Sequence, residues 1–171
     1  FFKQFNVKIF KAEKINTHGG SIRIYIKKDK NKKIEKSVKE FLKEEEKFGI
    51  KDFRTYQKFG EKVTEIKKNV IKNIIKLKKA NKKIIGYGAP AKATTALNYF
   101  NIKSEIDCVV EDNKLKIGKF IPGVNIPIIS KTKLKTKDST MLVLAWNFFE
   151  EIKKNNTNLS KNFINIKDLE K

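Results

Sequence analysis

Two arginines, one cysteine, one histidine and three prolines are all that the 171 residues contain of those four types. Each scarcity excludes something. The lone Cys108 cannot form an internal disulfide framework. Together with the lone His18 it cannot build a Cys/His zinc site within one chain, so no metal is expected. A chain so poor in cysteine fits a reducing, cytoplasmic setting. No uncharged apolar run approaches the roughly 20 residues that cross a bilayer, so no membrane partner is expected. The longest such runs, residues 120–130 and 139–149, are interrupted by Pro, Gly, Asn or Ser and read as strands with turns. The start, Phe-Phe-Lys-Gln-Phe, lacks the charged stretch and apolar core of a secretory signal.

What is abundant is lysine. The formal net charge is +21, which by itself points to nucleic acid or an anionic surface. Yet 38 of the 40 cations are Lys, and Lys, Ile and Asn together make 77 of the 171 residues. These three share A/T-rich codons, the mark of genome drift. Readers of nucleic acid favour Arg for bidentate contacts, and only Arg23 and Arg54 are present. The lysines are also spread along the chain. A solvated lysine surface accounts for the charge better than a nucleic-acid patch.

Hydropathy patterning divides the chain in three. Residues 7–15 and 21–26 alternate in polarity, with Ile22, Ile24 and Ile26 on one face and Asn16-Thr17-His18-Gly19-Gly20 as a turn between. This is a β-hairpin. Two strands alone are marginal in water, so the hairpin is expected to belong to a larger sheet. The chain opens within an element and without Met, as a fragment of a longer protein would. Residues 29–48 read as a helix stopped by Gly49. Residues 54–81 read as a longer one, carrying the stripe Tyr56, Phe59, Val63, Ile66, Val70, Ile74 and Leu77. From residue 82 short apolar strands (83–87, 106–110, 128–129, 140–145 and 162–166) alternate with helices at 91–100 and 148–154. That alternation predicts an α/β fold, a Rossmann-like doubly wound parallel sheet. The expected domains are therefore 1–28, the hairpin; 29–81, two linking helices; and 82–171, the α/β domain.

Four places carry chemistry. Gly86-Tyr87-Gly88 lies between a strand and a helix, half of a dinucleotide fingerprint, and Pro90 stands at or beside the first helical position. Such a turn brings backbone N–H groups to an anion at a helix N-terminus; it is equally a tight turn that needs glycine for positive φ. Lys92 in the first helical turn opposes the helix dipole unless an anion offsets it. Glu111-Asp112-Asn113 ends the next strand, where a ribose-binding carboxylate would sit. His18 lies beside Gly19 and Gly20, which allow close backbone approach, and Arg23 stands out against the lysine background as a forked donor. Trp146-Asn147 follows a strand directly, at the end that faces a ligand crevice or caps the core.

Thr17-His18-Gly19-Gly20-Ser21-Ile22-Arg23 resembles the THGGS-[LI]-R segment of sugar C-methyltransferases. Gly86-Tyr87-Gly88-Ala89-Pro90-Ala91-Lys92 resembles their GYGA-x-AK turn. Gly118 with Pro122-Gly123 and Ile126-Pro127-Ile128 resembles their G-x3-PG-x2-IPI loop, and Leu142 through Phe148 their LLLAWNF strand end. The chain differs from the family's usual residue at Pro90, Thr94 and Glu111, which are often Ala, Gly and Asp. The resemblance covers nearly the whole chain. It implies the C-terminal region of an S-adenosylmethionine-dependent enzyme that methylates a carbon of a nucleotide-linked keto-deoxysugar. It further implies that the hairpin ends a preceding methyltransferase sheet and that S-adenosylmethionine is bound outside this chain.

On this reading the chain binds and positions a nucleotide-linked sugar against the upstream methyltransferase domain of the same polypeptide. It would supply no catalytic residue and transfer no methyl group alone. The expected substrate-binding residues are His18, Gly19, Gly20, Arg23, Gly86, Tyr87, Gly88, Lys92, Asp112, Trp146 and Asn147, with the Gly86–Lys92 turn on the anionic part and His18 and Arg23 facing the same cleft as Gly88 and Trp146. Two alternatives stand beside it: a stand-alone Rossmann-like module for a nucleotide or CoA-type ligand, and a basic nucleic-acid-associated domain.

Overall fold

Alternation in the first residues and apolar continuity in the later strands produce two different sheets. The computed structural model describes residues 1–29, 31–80, 83–134 and 138–171. They pack as two compact units, Phe1–Glu61 and Lys62–Lys171. Asn81 and Lys82, the expected end of the second helix and start of the α/β domain, lie outside the described residues.

In the first unit β1 (Lys8–Ile15) and β2 (Ser21–Lys27) form the expected antiparallel hairpin, with an irregularity between Ile9 and Lys11. Ile22, Ile24 and Ile26 share one face yet remain about half exposed. The next helix, α1, spans Lys36–Phe48 and begins seven residues later than the periodicity predicts. Two local bonds explain the delay. The Asp29 carboxylate accepts from the Asn31 N–H at 2.9 Å, a turn that competes with helix formation. The Glu35 N–H donates to the Phe10 carbonyl at 2.8 Å, holding this segment to β1. Just inside α1, the Ser37 hydroxyl accepts from the Ala12 N–H. Gly49 ends the helix in the left-handed region, as expected.

Helix α2 (Phe53–Lys79) carries its apolar stripe, but unevenly buried. Tyr56 and Phe59, in the first unit, are exposed. Val70 and Ile74, in the second, are fully buried, with Ile66 and Leu77 packed partly beside them.

The second unit is a five-stranded parallel sheet of β3 (Lys83–Tyr87), β4 (Cys108–Val110), β5 (Ile128–Ile129), β6 (Ser139–Val143) and β7 (Asn162–Asn165), in the order β5-β4-β3-β6-β7. Numbered from its own first strand this is the 3-2-1-4-5 order of a Rossmann-like sheet, which reverses direction between β3 and β6. Alternate residues feed two cores. Ile84, Val109, Leu142 and Leu144 join Val70 and Ile74 of α2 and Ala93, Leu97 and Phe100 of α3 (Ala91–Phe100). Ile85, Tyr87, Val110, Met141 and Val143 form the other face with Phe149 and Ile152 of α4 (Phe149–Asn155). No helix among the described residues is long and apolar enough to cross a membrane.

Gly86 belongs to this packing. A Cβ there would lie 2.9 Å from Val109 Cγ2 and 3.1 Å from Leu144 Cδ1, inside the first core. Overpacking of a close-packed interior costs about 1–3 kcal/mol. Gly86→Ala is therefore expected to lower the unfolding free energy by about that amount, measurable as a shift in urea midpoint at unchanged slope.

Candidate functional site

The carboxyl ends of β3, β4 and β6 enclose a cavity of about 460 Å³ at the point where strand order reverses. Open parallel sheets bind ligands at this place. Tyr87, Gly88, Glu111, Asp112, Lys116 and Lys131 are among its lining residues, with Asn156 from beyond α4.

The glycine turn is held from within. Gly88 has φ +85°, and a Cβ on it would come 2.8 Å from Ala145 Cβ, so glycine is needed on both counts. The Gly88 N–H donates to the Val110 carbonyl at 2.8 Å. The Ala89 N–H donates to Glu111 Oε2 at 2.8 Å. Pro90 has no N–H. The other oxygen of Glu111 accepts from the Asp112 and Asn113 N–H groups at 2.9 and 3.1 Å. Lys116 Nζ then donates to the Ala89 carbonyl at 2.9 Å and lies 3.7 Å from Glu111 Oε2. Gly88, Ala89 and Pro90 thus offer no unused N–H, and the Glu111 side chain is only 13% exposed.

A second network lines the cavity beside the first. Tyr87 is buried, and its hydroxyl donates to Asp112 Oδ2 at 2.7 Å. Asn156 Oδ1 lies 3.2 Å from the same hydroxyl, but the phenol has one proton and the nearer carboxylate takes it. Lys131 Nζ pairs with Asp112 Oδ1 at 2.9 Å. The ammonium of Lys131, with the Tyr87 hydroxyl, holds the Asp112 carboxyl below the usual aspartate range. Burial, and then the Asp112 carboxylate, push the Tyr87 phenol well above its ordinary value.

Lys92 lies in the first turn of α3, with Nζ 4.1 Å above the centre of the Trp146 ring. Trp146 packs against the first core. Among the described residues Lys92 has no ion pair. Desolvation, and then the neighbouring Lys167, push its ammonium below the usual lysine value. This arrangement favours an anion supplied from outside. Asn147 sits in the 3-10 turn Trp146–Phe148 after β6.

The expected residues therefore fall into groups. Tyr87, Gly88 and Asp112 come together in the cavity; Lys92 and Trp146 pair on the first core's side of the same sheet edge; Gly86 lies within the sheet. Gly19 and Gly20, in the first unit, take φ of 90° and 120° at the hairpin turn, with open space around both. Arg23 donates to Glu13 Oε1 across the hairpin at 3.1 Å and is largely exposed. The His18 side chain lies outside what is described. The loop from Gly118 to Ile128 closes on itself: the Ile121 N–H donates to the Ile126 carbonyl at 2.9 Å and the Gly118 N–H to the Ile128 carbonyl at the same distance.

A family model described as the C-methyltransferase C-terminal domain matches residues 16–165. The chain belongs to this C-methyltransferase family. It is also similar to the C-methyltransferase NovU of Streptomyces niveus, 28% identical over 154 residues. That alignment covers 88% of this chain and 37% of the relative, so the chain spans little more than a third of the curated protein it matches.

Within this C-methyltransferase domain, sequence reasoning found the glycine turn but gave Glu111 no role of its own and passed over Lys116, Lys131 and Asn156. Lysines give no signal in so lysine-rich a chain, and Asn156 reaches Tyr87 from 69 residues away. Asp112 supplies a pH test. Its folded pKa lies below the ordinary value of about 3.9, so its contribution to stability is fully present above about pH 4 and is lost as pH falls through the depressed value. Asp112→Asn is expected to flatten that part of the acid limb, read from denaturation midpoints between about pH 5 and pH 2.

Proposed function

We propose that this chain is the part of a C-methyltransferase that holds a nucleotide-linked sugar against the upstream methyltransferase domain. The crevice at the ends of β3, β4 and β6 takes the neutral part of the substrate, and Lys92 takes the anionic part. The observation that carries this reading is Lys92: over the Trp146 ring in the first turn of α3, partly desolvated, near Lys167 and, among the described residues, without an ion pair. Membership of the family and the likeness to NovU support the reaction class. Fixing the reacting atoms in place lowers a barrier without any catalytic group from this chain.

In this reading S-adenosylmethionine supplies the methyl group in the full-length enzyme. The crevice does not fit that cofactor. The carboxylate that would take its ribose hydroxyls is already bonded to three backbone N–H groups. The cofactor is therefore assigned to residues outside this chain. His18, Gly19, Gly20 and Arg23 keep their assignment to the substrate through the family motif alone.

Trp146 is the only tryptophan and lies against Lys92, so it reports directly on this place. Titration of the chain with a thymidine diphosphate sugar is expected to change Trp146 fluorescence saturably, and Lys92→Ala to weaken the affinity by about 1–2 kcal/mol. A flat titration, or unchanged affinity in the Lys92 variant, would contradict the proposal.

A further inference from the structure

We propose that Glu111 determines specificity by occupying the anion position of the glycine turn, so that no ligand phosphate binds there. In a dinucleotide site of this topology the turn after the first strand presents N–H groups to a pyrophosphate, and an acidic residue at the end of the second strand reaches for ribose. Here the acidic residue has turned inward. Glu111 Oε2 accepts from Ala89 N–H at 2.8 Å, the place a phosphate oxygen would take. Gly88 N–H is bonded to Val110 and Pro90 has none, so the residues flanking Ala89 keep no second donor; the next N–H groups are those of Ala91 and Lys92, at the start of α3. Glu111 itself is fixed by the Asp112 and Asn113 N–H groups. Lys116, the cation that could have greeted a phosphate, bonds the Ala89 carbonyl instead.

The consequence is a division of labour along one sheet edge. A second anion brought to Ala89 would meet a mostly buried carboxylate and find the Ala89 N–H already taken. What the crevice can accept beside the turn is a hydroxyl, which can donate to Asp112. Phosphate is left with the Lys92 side. The inference holds whether or not the bound molecule is a nucleotide-linked sugar, since it concerns only what the turn refuses.

The test uses inorganic pyrophosphate as probe, at about 0.15 M salt to screen the lysine surface, with the isotope-labelled chain followed by amide resonances. Glu111→Gln keeps the shape while removing the charge and one of the two acceptor oxygens, so its hold on the Ala89 N–H is weakened. In the unaltered chain the Ala89 resonance is expected to stay in place throughout. In Glu111→Gln it is expected to move saturably, with affinity at the turn at least tenfold higher. The Trp146 indole resonance, followed in the same titration, reads the Lys92 side separately. Its failure to move would count against the proposed function without touching Glu111. If the Ala89 resonance moves equally in both proteins, or in neither, Glu111 is not what keeps phosphate from the turn.

Discussion

The carboxylate of Glu111 is the constraint on which the site's form depends. It reaches from the end of β4 to the turn after β3 and accepts from Ala89, Asp112 and Asn113. The part-buried Ala89 N–H must find a partner and finds it in a neighbouring strand's side chain. The same contact fixes the glycine turn, adds to the β3–β4 pairing beyond Tyr87 and Val110, and brings Lys116 to the Ala89 carbonyl. A motif built to receive an anion is thereby completed by an anion of the protein's own.

From that contact the two sides of the sheet edge diverge. On the face of the second core, Tyr87, Asp112, Lys131 and Asn156 form a polar network with every charge partnered. On the face of the first core, Lys92 stands over Trp146, near Lys167 and, among the described residues, without an ion pair. One side is balanced and suited to hydroxyl or amide groups; the other has a charge to neutralise. Binding energy for an anionic ligand is greatest where a cation is already desolvated and unpaired, because less hydration remains to be lost. Such a division suits the proposed substrate, with its neutral sugar and charged linkage.

Much of this was legible in the sequence. Strands apolar on both faces gave the parallel sheet. The spacing of Val70, Ile74 and Leu77 gave the buried part of α2. Glycine between strand and helix gave the turn, and Trp146 after a strand end marked the sheet edge. What could not be read was direction. Sequence placed acidic residues after β4 but could not tell that Glu111 points back at Ala89 while Asp112 points to Tyr87 and Lys131. Gly86 and Gly88 look alike in a motif, yet one is required by Val109 and Leu144 and the other by its φ of +85°. The late start of α1 also escaped periodicity, because an Asx bond at Asp29 and the bond from Glu35 to Phe10 of β1 hold the segment before it.

The Ala89 N–H is bonded within the protein before any ligand arrives. Native-state hydrogen exchange of that single amide tests it most directly. The account predicts protection comparable to the strand amides of β3 in the ligand-free chain, lost when Glu111 is replaced by Ala. An Ala89 amide that exchanges as fast as an open loop in the unaltered chain would show the turn to be vacant, and would contradict it.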